Sequence, residues 1–468
     1  MATEFPRLMI AAIQGMSGKT TVTIGLLKAL KDRGLRAQPY KKGPDYIDPS
    51  WATIASGVPC RNLDAIMMHD DQLIHSMCSQ SDKADLAVVE GAMGIFDGFD
   101  IDGSNSSAEL ACLLDIPVIL VVSGQRITRS VAALINGVVQ FDQRIHIAGI
   151  ILNRVARPRH LNIMTGSIEK YCNVPILGAL PKGDDIKIPD RHLGLVPAGE
   201  ETELLSRVDR LGELVEQHVD IDRILAIAKA APPLADPLPT PPAVDLPVKP
   251  RIGVFRDRAF SFYYPENLEA LVQQGADLVD VDAFADASVD ELDGLYIGGG
   301  FPEVMAADLS ANEALRRSVK RAADAGKPIY AECGGLMYLS RGIHTTESFF
   351  PMCDVFPCEI TMTKRPQGHG YAFQRITEAN PFFTPGELIR GHEFHNSKVV
   401  WPPEIDPAEQ AFGFQTERGK GLAVVNGITY DGLVYRNVLA GYHHYHAASD
   451  GRWAEEFVKM AFKQEHKC

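Results

Sequence analysis

The hexapeptide AECGGL at 331–336 has the residue types of a nucleophile placed between a strand and a helix. Residues 327–330 indicate a short buried strand, and residues 336–339 begin a helical pattern. A helix N-terminus favours the thiolate of Cys333, which is the reactive form of this side chain. Two glycines after the cysteine let a substrate approach the backbone closely. We therefore predict that Cys333 is catalytic; a buried structural cysteine at a glycine-rich turn is the alternative.

Two further features of the same half of the chain could serve this thiol. A strand-like run at 294–297 opens into three glycines at 298–300, whose backbone N–H groups can stabilise a developing oxyanion. The sequence GYHHYH at 441–446 holds three histidines, and one that reaches the cysteine would act as its base. The alternatives are a tight turn for the glycines and a metal patch or solvated turn for the histidines.

A third polar cluster is GHEFHNS at 391–397. His392, Glu393 and His395 lack the i, i+4 histidine spacing of a helical zinc site. We therefore interpret this stretch as a substrate-facing loop rather than a metal site.

The sequence GMSGKTT at 15–21 follows a strand-like run at 8–13 and precedes a helical pattern. Strand, Gly-Lys-Thr and helix in this order predict a phosphate-binding loop. Lys19 would contact the outer phosphates, and the Thr20 hydroxyl would bind Mg²⁺. Ile13 stands where such loops usually begin with glycine, so we expect an altered loop geometry. A chance Gly-Lys-Thr at a helix start is the alternative.

Acidic side chains follow the next two predicted strands. The sequence KKGPDYIDP at 41–49 combines two lysines with Asp45 and Asp48 on a loop stiffened by proline and glycine. This composition suits a metal ion and an anion held together, with a charged surface turn as the alternative. An apolar run at 86–90 ends in Glu90, where a phosphate-loop enzyme would place a second Mg²⁺ ligand.

Strands and helices alternate through the first half of the chain. Further strand-like runs lie at 117–122, 147–152 and 174–181, and a mostly helical segment extends to about residue 230. This alternation predicts a parallel, doubly wound sheet, in which ligands bind at the carboxyl ends of the strands. The candidate residues that fall at such ends are Lys19, Asp45, Glu90 and Asn153.

A proline-rich stretch divides the chain. Residues 232–250 hold eight prolines and are typical of an extended interdomain linker, with a docking peptide as the alternative. A second alternation of strands and helices begins with the strand-like run 251–255. We therefore predict an α/β protein with two doubly wound domains, at 1–231 and 251–468, joined by this linker.

Composition limits the kinds of partner. The 468 residues suffice for roughly two to four domains, and 46% apolar and 23% charged residues are ordinary for a globular protein. A net charge of −14 disfavours binding to nucleic acid or an anionic membrane. We expect neither a membrane span nor a signal peptide. Eight scattered cysteines favour a reducing cytoplasm over a disulfide or zinc framework.

These motifs resemble two known groups of enzymes. The Cys333 turn, the glycines at 298–300 and the late histidine resemble class I glutamine amidotransferases, in the branch that lacks the usual glutamate of the triad. Nearly the whole chain resembles the cobyrinate a,c-diamide synthase family, in which a dethiobiotin-synthetase-like ATP domain precedes a glutaminase. The motifs that carry this resemblance are KGPDYIDP at 42–49, EGxMGxFDG at 90–98, RDxAFxFYYPEN at 256–267 and GHEFH at 391–395.

Two positions depart from the family pattern. Members usually begin the phosphate loop with GTxSG, whereas this chain has AIQGMS at 12–17. Ala447 replaces the phenylalanine that usually ends the family's YxHxHF sequence. The first departure indicates a subfamily with a different tetrapyrrole substrate, since close relatives act on nickel-sirohydrochlorin or sirohaem.

The resemblance implies a role for each candidate in the second half of the chain. Cys333 would attack the side-chain amide of glutamine, and His444 would activate the sulfur and protonate the leaving ammonia. The N–H groups of Gly299, Gly300 and Gly334 would stabilise the oxyanion. The ammonia would then pass inside the protein to the first domain.

The resemblance also implies that the first domain activates a side-chain carboxylate with ATP. Asn153 is expected to contact the nucleotide base, with a capping asparagine as the alternative. The stretches 260–264 and 391–397 are expected to contact the tetrapyrrole, with burial in the core as the alternative for the first. The residues expected to bind ATP are Gly15, Ser17, Gly18, Lys19, Thr20 and Thr21. Those expected to hold Mg²⁺ are Thr20, Asp45 and Glu90. Those expected to orient the substrate acid or the metal are Lys42, Tyr46, Asp48 and Asp97.

The implied activity is ATP- and glutamine-dependent amidation of the a and c acetate side chains of a tetrapyrrole, cobyrinate first of all. Sirohaem and nickel-sirohydrochlorin are alternative substrates, and a ligase for later corrinoid side chains is an alternative enzyme. A phosphate-loop regulator with an inactive glutaminase is the alternative of another class. The expected partners are glutamine, ATP, Mg²⁺ and the tetrapyrrole polycarboxylate; a homodimer is left open.

Overall fold

Two compact units make up the chain, Met1–Pro239 and Thr240–Cys468. Of the predicted features, the region 184–197 of the helical segment and residues 237 and 239–242 of the linker lie outside the described residues. The domain boundaries at 231 and 251 stay predictions. The computed structural model describes residues 2–183, 198–236, 238, 243–346, 348–449 and 452–465.

The N-terminal unit alternates strands and helices. Its strands are β1 Ala2–Thr3, β2 Arg7–Ala12, β3 Ala37–Lys42, β4 Arg61–Leu63, β5 Leu86–Glu90, β6 Val118–Ser123, β7 Ile147–Val155, β8 Ile176–Pro181 and β9 Leu234–Ala235. Its helices are α1 Lys19–Asp32, α2 Ile47–Ser56, α3 Asp70–Cys78, α4 Ser107–Leu113, α5 Ser130–Phe141, α6 Pro158–Tyr171, α7 Ala198–His218 and α8 Ile221–Lys229.

Seven of these strands form one parallel sheet, in the order β4-β3-β5-β2-β6-β7-β8. Every residue of β2, β3 and β5 is buried, as expected for a parallel sheet that is covered on both faces. The predicted parallel α/β fold of this half is confirmed. The carboxyl ends of β2, β3, β5 and β7 therefore meet at one edge of the sheet, next to the phosphate loop.

Helix α1 follows the phosphate loop and packs closely against α7. Gly18 enters the helix with a φ of 94°, and Gly34, with a φ of 80°, follows its end. Gly25 lies at the crossing, where a Cβ atom would come within 2.8 Å of the Leu211 carbonyl oxygen and 2.6 Å of the Val215 side chain. Only glycine permits this close crossing of the two helices.

The C-terminal unit contains more strands than helices. Its strands are β10 Arg251–Phe255, β11 Phe260–Phe262, β12 Asp277–Val281, β13 Gly294–Ile297, β14 Gly299–Gly300, β15 Ile329–Glu332, β16 Gly342–His344, β17 Phe349–Pro351, β18 Glu359–Met362, β19 Gly368–Ile376, β20 Leu388–His395, β21 Ser397–Val400, β22 Ala411–Arg418, β23 Ala423–Val425, β24 Ile428–Tyr435, β25 Val438–Gly441 and β26 His444–Tyr445. Its helices are α9 Pro265–Gln273, α10 Ala306–Ala311, α11 Glu313–Asp324, α12 Gly334–Leu339 and α13 Arg452–Glu465.

The main sheet of this unit has a parallel half and an antiparallel half. Its order is β12-β10-β13-β15-β25-β24-β22-β19-β20-β26, and β23 pairs with β24. The parallel strands β12, β10, β13, β15 and β25 confirm the second predicted α/β domain. The antiparallel strands, and a separate four-stranded sheet in the order β17-β16-β18-β21, were not predicted.

Two general expectations concern membranes and disulfides. In the part of the chain that the structure describes, no helix has both the length and the apolar character to cross a membrane. The seven described cysteines are all free thiols.

Candidate active sites

The phosphate loop joins β2 to α1 in the N-terminal unit. Met16, with a φ of 59°, adopts the left-handed conformation that non-glycine residues rarely take. The buried Ser17 hydroxyl donates to the Gln14 carbonyl at 2.9 Å. The Lys19 ammonium donates to the Met93 carbonyl at 2.5 Å, and burial lowers the pKa of this lysine. Gly15 and Thr21 lie on the loop and in the first turn of α1, respectively.

Asn153, at the end of β7, braces this loop. Its amide nitrogen donates to the Ser17 carbonyl at 3.0 Å, and its amide oxygen accepts from the Arg154 N–H at 2.9 Å. A Cβ atom on Gly18 would lie 2.0 Å from the amide nitrogen, so the contact is close. The structure therefore gives this side chain a role in holding the loop, and the predicted contact with the nucleotide base stays a prediction.

Three side chains that carry oxygen converge beside the loop. The Thr20 hydroxyl donates to Glu90 Oε1 at 2.6 Å and lies 3.3 Å from Asp48 Oδ2. Asp45, predicted as a metal ligand, instead accepts from the N–H groups of Ile47 and Asp48 and so caps the start of α2. Asp48, predicted to orient the substrate, lies beside Thr20, and the metal role of Asp45 stays a prediction.

Lys41 lies among these acidic residues and was not among the predicted site residues. Its ammonium contacts Asp48 Oδ2, lies 2.9 Å from Glu90 Oε1 and is 3.8 Å from Asp45 Oδ2. Burial alone would lower the pKa of Lys41, but the three carboxylates together raise it above its usual value. The lysine is therefore charged and offsets the repulsion between the acidic groups.

The other predicted substrate residues lie around this cluster. Lys42, the last residue of β3, is buried, and this burial lowers its pKa. Tyr46 is half-buried and directly precedes α2. The exposed Asp97 accepts the Gly94 N–H at 2.7 Å and so stabilises a turn after β5. The substrate roles of these residues stay predictions.

Cys333 lies at the predicted turn between β15 and α12. Its φ of 47° and ψ of −96° are strained values for a residue with a side chain, as expected for a nucleophile elbow. The Cys333 N–H donates to the Gly441 carbonyl at 2.7 Å, which ties the turn to β25. The Cys333 sulfur is 3.8 Å from the Phe394 carbonyl oxygen.

In this structure the N-terminus of α12 opposes the effect of burial on the Cys333 thiol but does not outweigh it. Burial raises the pKa of the Cys333 thiol, and the negative charge of Glu303 adds to the effect. The hydrogen bond from the Gly334 N–H opposes this rise only in part, and α12 is only 6 residues long. The sulfur therefore needs a base to remove its proton.

His444 lies in β26, opposite His392 of β20. Its Nδ1 atom is 3.3 Å from Glu332 Oε2, and its ring stacks on the His392 ring with centroids 4.8 Å apart. A Cβ atom on Gly299 would lie 2.5 Å from Cε1 and 3.4 Å from Nε2 of His444. The Nε2 edge of this histidine therefore faces the glycine turn.

The glycine turn lies against the Cys333 elbow. A Cβ atom on Gly334 would come within 3.0 Å of the Gly300 nitrogen, so the two backbones approach closely. Gly300 has a φ of 153°, and a Cβ atom there would lie 1.9 Å from the Ala259 carbonyl oxygen. The structure thus brings together the elbow, the histidine and the glycines predicted to form the oxyanion hole.

Two of the predicted tetrapyrrole contacts need correction. Residues 391–395 belong to β20 rather than to a loop, because the strand pairs with β19 along eight register positions and with β26. Phe260, Phe262 and Tyr264 are at most 5% exposed. These three aromatic rings belong to the core, as the alternative for this stretch had it, so they offer no surface on which a macrocycle could lie.

Two side chains of the candidate sites were missed because their partners are distant in sequence. Lys41 precedes Glu90 by almost fifty residues, and only the pairing of β3 with β5 places them opposite each other. Glu332 was not predicted because the motif around it was interpreted through Cys333 alone. Nothing in the local sequence shows that the Glu332 carboxylate faces His444. The one signal for Lys41 was its place at the end of a predicted strand, next to the loop that carries Asp45 and Asp48.

Comparisons with known proteins agree on both halves. Residues 8–196 match the model of the CobQ/CobB/MinD/ParA nucleotide binding domain, and residues 251–452 match that of the CobB/CobQ-like glutamine amidotransferase domain.

Curated relatives match over almost the whole chain. A cobyrinate a,c-diamide synthase of Magnetococcus marinus is 44% identical over 97% of this chain and 97% of its own length. Synthases of the same name from Dehalococcoides mccartyi and Archaeoglobus fulgidus are 41% and 39% identical, over 98% and 99% of both chains, respectively. The chain therefore belongs to the cobyrinate a,c-diamide synthase family of glutamine-dependent amidating ligases.

Proposed function

We propose that the protein converts cobyrinate to cobyrinate a,c-diamide, with ATP as energy source and glutamine as nitrogen donor. The observation that carries this proposal is that relatives with this name match nearly the full chain, at 39–44% identity in three organisms. A phosphate-loop site and a cysteine–histidine site in one chain supply the two chemistries that the reaction needs. The free cysteines favour a reducing compartment, which we take to be the cytoplasm.

The C-terminal unit would release ammonia from glutamine. The Cys333 sulfur attacks the side-chain carbonyl carbon while its proton passes to His444. The histidine returns this proton to the leaving nitrogen, so that ammonia departs and a glutamyl thioester remains. Water then hydrolyses the thioester to glutamate and the free thiol. The N–H groups of Gly299, Gly300 and Gly334 stabilise the oxyanion, and loss of one such donor typically costs about 3–4 kcal/mol.

The N-terminal unit would activate the acid. A carboxylate oxygen of the substrate attacks the γ-phosphorus of ATP, ADP leaves, and an acyl phosphate forms. Ammonia then attacks the acyl carbon, and inorganic phosphate leaves as the amide forms. Lys19 neutralises phosphate charge, while Lys42, Tyr46 and Asp97 orient the substrate. The loop residues that we propose for ATP are Gly15, Ser17, Gly18, Lys19, Thr20 and Thr21.

The residues beside the loop fit Mg²⁺. Thr20, Asp48 and Glu90 offer hard oxygen donors, which this ion prefers. Within the described ranges, no three or more histidine, cysteine or acidic side chains form a complete metal cage. Mg²⁺ is usually held by one or two carboxylates plus substrate phosphates, so a partial donor set suits it. When bound, the ion would neutralise charge on the transferred phosphoryl group.

A cavity of about 670 Å³ beside the loop would take the rest of the nucleotide. It is lined by residues 13–17 of the loop and by the cationic side chains of Arg126, Arg154 and Lys182. These charges suit a polyphosphate ligand. We therefore assign this cavity to ATP, with Asn153 holding the adjoining loop.

Product analysis tests the proposed substrate. The purified protein is incubated with ATP, Mg²⁺ and glutamine, and with cobyrinate, sirohaem or nickel-sirohydrochlorin in separate reactions. We expect mass spectrometry to show two carboxyl groups converted to amides on cobyrinate alone. Conversion of only sirohaem or nickel-sirohydrochlorin would replace the assigned substrate, and conversion of none of the three would remove the tetrapyrrole assignment.

A further inference from the structure

Glu332 ends β15 directly before the nucleophile and is fully buried. Its Oε2 atom is 3.3 Å from Nδ1 of His444, and the Tyr445 N–H donates to its Oε1 atom at 3.3 Å. The side chains of Glu332 and His444 are each 1% exposed. A carboxylate removed from water in this way needs a hydrogen-bonded or charged partner, and the imidazole is placed to be one.

The rest of the His444 ring is also held in place. The ring of His392 stacks on it at an interplanar angle of 19°. The opposite edge, with Nε2, faces the turn at Gly299. The carboxylate and the glycine turn therefore lie at different ring nitrogens, which is the arrangement that a general base requires.

Three other buried or partly buried carboxylates of this unit have different partners. Glu266 faces Nε2 of His446 at 3.6 Å, and Glu393 accepts from the N–H groups of Lys420 and Gly421. Asp431 accepts only backbone N–H groups, from residues 432, 442 and 443. Of these four carboxylates, Glu332 is the one that lies within hydrogen-bond distance of Nδ1 of His444.

We propose that Glu332 is a positioning residue that keeps the proton of His444 on Nδ1, so that Nε2 carries no proton and can accept that of Cys333. The carboxylate also stabilises the imidazolium that forms. Glu332 would thus have the role of the triad glutamate, which the branch that this chain resembles lacks. The inference rests on the proposed release of ammonia from glutamine.

The ionisable groups around the ring are consistent with this assignment. They are Glu332 of β15, Cys333 of the elbow, His392 of β20, and His443 and His446 of the same segment as His444, and the Tyr330 phenol of β15 hydrogen-bonds to Glu332. Burial holds the pKa of His392 well below its usual value and lowers that of His443 to about 3. Both rings are therefore neutral near pH 7. We accordingly assign to His444 the proton that leaves the Cys333 thiol.

The first test replaces the carboxylate with an amide of the same shape. The Glu332→Gln side chain can donate to Nδ1 and so favours the tautomer with its proton on Nε2, the wrong one for a base. We expect kcat for glutamine hydrolysis to fall roughly 10²-fold or more, with KM for glutamine little changed. We also expect alkylation of Cys333 by iodoacetamide to need a higher pH than in the native enzyme.

Two matched variants control this test. Asp257→Asn makes the same change at a carboxylate that accepts only the N–H groups of residues 259, 260 and 283, so its alkylation profile should match the native one. Glu332→Asp keeps the charge and should restore part of the lost kcat. A folded Glu332→Gln protein with native kcat and a native alkylation profile would refute the role of Glu332.

The second test needs no altered carboxylate. In protein labelled with ¹⁵N at histidine, the His444 signals are assigned by their loss in His444→Asn, and their shifts report which nitrogen carries the proton. We expect the proton on Nδ1 in the native enzyme; a proton on Nε2 would overturn the inference. Absence of glutamine hydrolysis by the native enzyme would instead count against the proposed function and would leave this measurement readable.

Discussion

At the residue scale, the candidate ATP site depends on one buried lysine. The pairing of β3 with β5 places Lys41 opposite Glu90, and its ammonium also contacts Asp48. The carboxylates of Asp48 and Glu90 would repel each other without a cation between them. The lysine therefore stabilises these carboxylates, and a bound divalent ion would share that task.

Lys41→Met should destabilise the protein. Removal of one partner from a buried ion pair typically costs about 3–5 kcal/mol, because the remaining charges stay buried and unpaired. We expect a lower melting temperature in calorimetry and partial recovery on addition of Mg²⁺. Lys28→Met removes surface ion pairs with Asp32 and Asp209 and should change the melting temperature little. An unchanged melting temperature in Lys41→Met would contradict the charge balance described above.

Asp431 should make stability depend on pH. Burial raises its pKa to about 7, above the usual value near 3.9, so the folded protein holds a proton that the unfolded chain releases. Its contribution is therefore complete below about pH 4 and is lost as pH rises to about 7, by up to about 1.4 kcal/mol per pH unit. Denaturant unfolding at several pH values should show a flatter profile in Asp431→Asn than in the native protein. An identical slope in both proteins would refute this assignment.

At the element scale, the crossing of α1 and α7 leaves no room for a side chain. Gly25→Ala would push a methyl group against the Leu211 carbonyl, and overpacking of this kind typically costs about 1–3 kcal/mol. Gly137→Ala in α5 meets nothing within 4 Å and should stabilise its helix by roughly 0.5–1 kcal/mol. Glycine-to-alanine substitution should thus lower the melting temperature at position 25 and raise it at position 137. Equal shifts would show that the crossing is looser than described.

The sequence predicted the parallel elements better than the antiparallel ones. Strands such as β5 and β13 can be recognised from their apolar sequences, because a strand buried on both faces is almost entirely apolar. Strand β20 contains His392, Glu393 and His395, which we interpreted as a loop. These polar groups are buried only because β19 and β26 pair with the strand on its two sides.

The same limit applies to the candidate sites. Motifs identified Lys19, Glu90 and Cys333, since their roles depend on a few adjacent residues. The position of Asp48 beside Thr20 could not be foreseen, because it depends on the hydrogen bonds that Asp45 accepts at the start of α2. Local sequence also cannot show how deeply a thiol is buried, so it did not indicate that burial raises the pKa of Cys333.

At the scale of the whole molecule, the two units should be separable by mutation. Cys333→Ala should abolish amidation with glutamine and retain it with an ammonium salt, because only the nitrogen source is lost. Lys19→Met should reduce amidation roughly 10²-fold or more with either nitrogen source, while Cys333 still reacts with iodoacetamide. Product formation is followed by mass spectrometry in both cases. Glutamine-dependent amidation by Cys333→Ala without added ammonium would contradict the assigned nucleophile.

The pairing of β26 with β20 has a consequence for protein synthesis. His444 lies 111 residues after Cys333, and both follow the entire N-terminal unit. A chain still on the ribosome acquires the thiol well before the imidazole that must deprotonate it. On the proposed chemistry, a growing polypeptide cannot begin to consume glutamine until the nucleotide-binding half has already been translated.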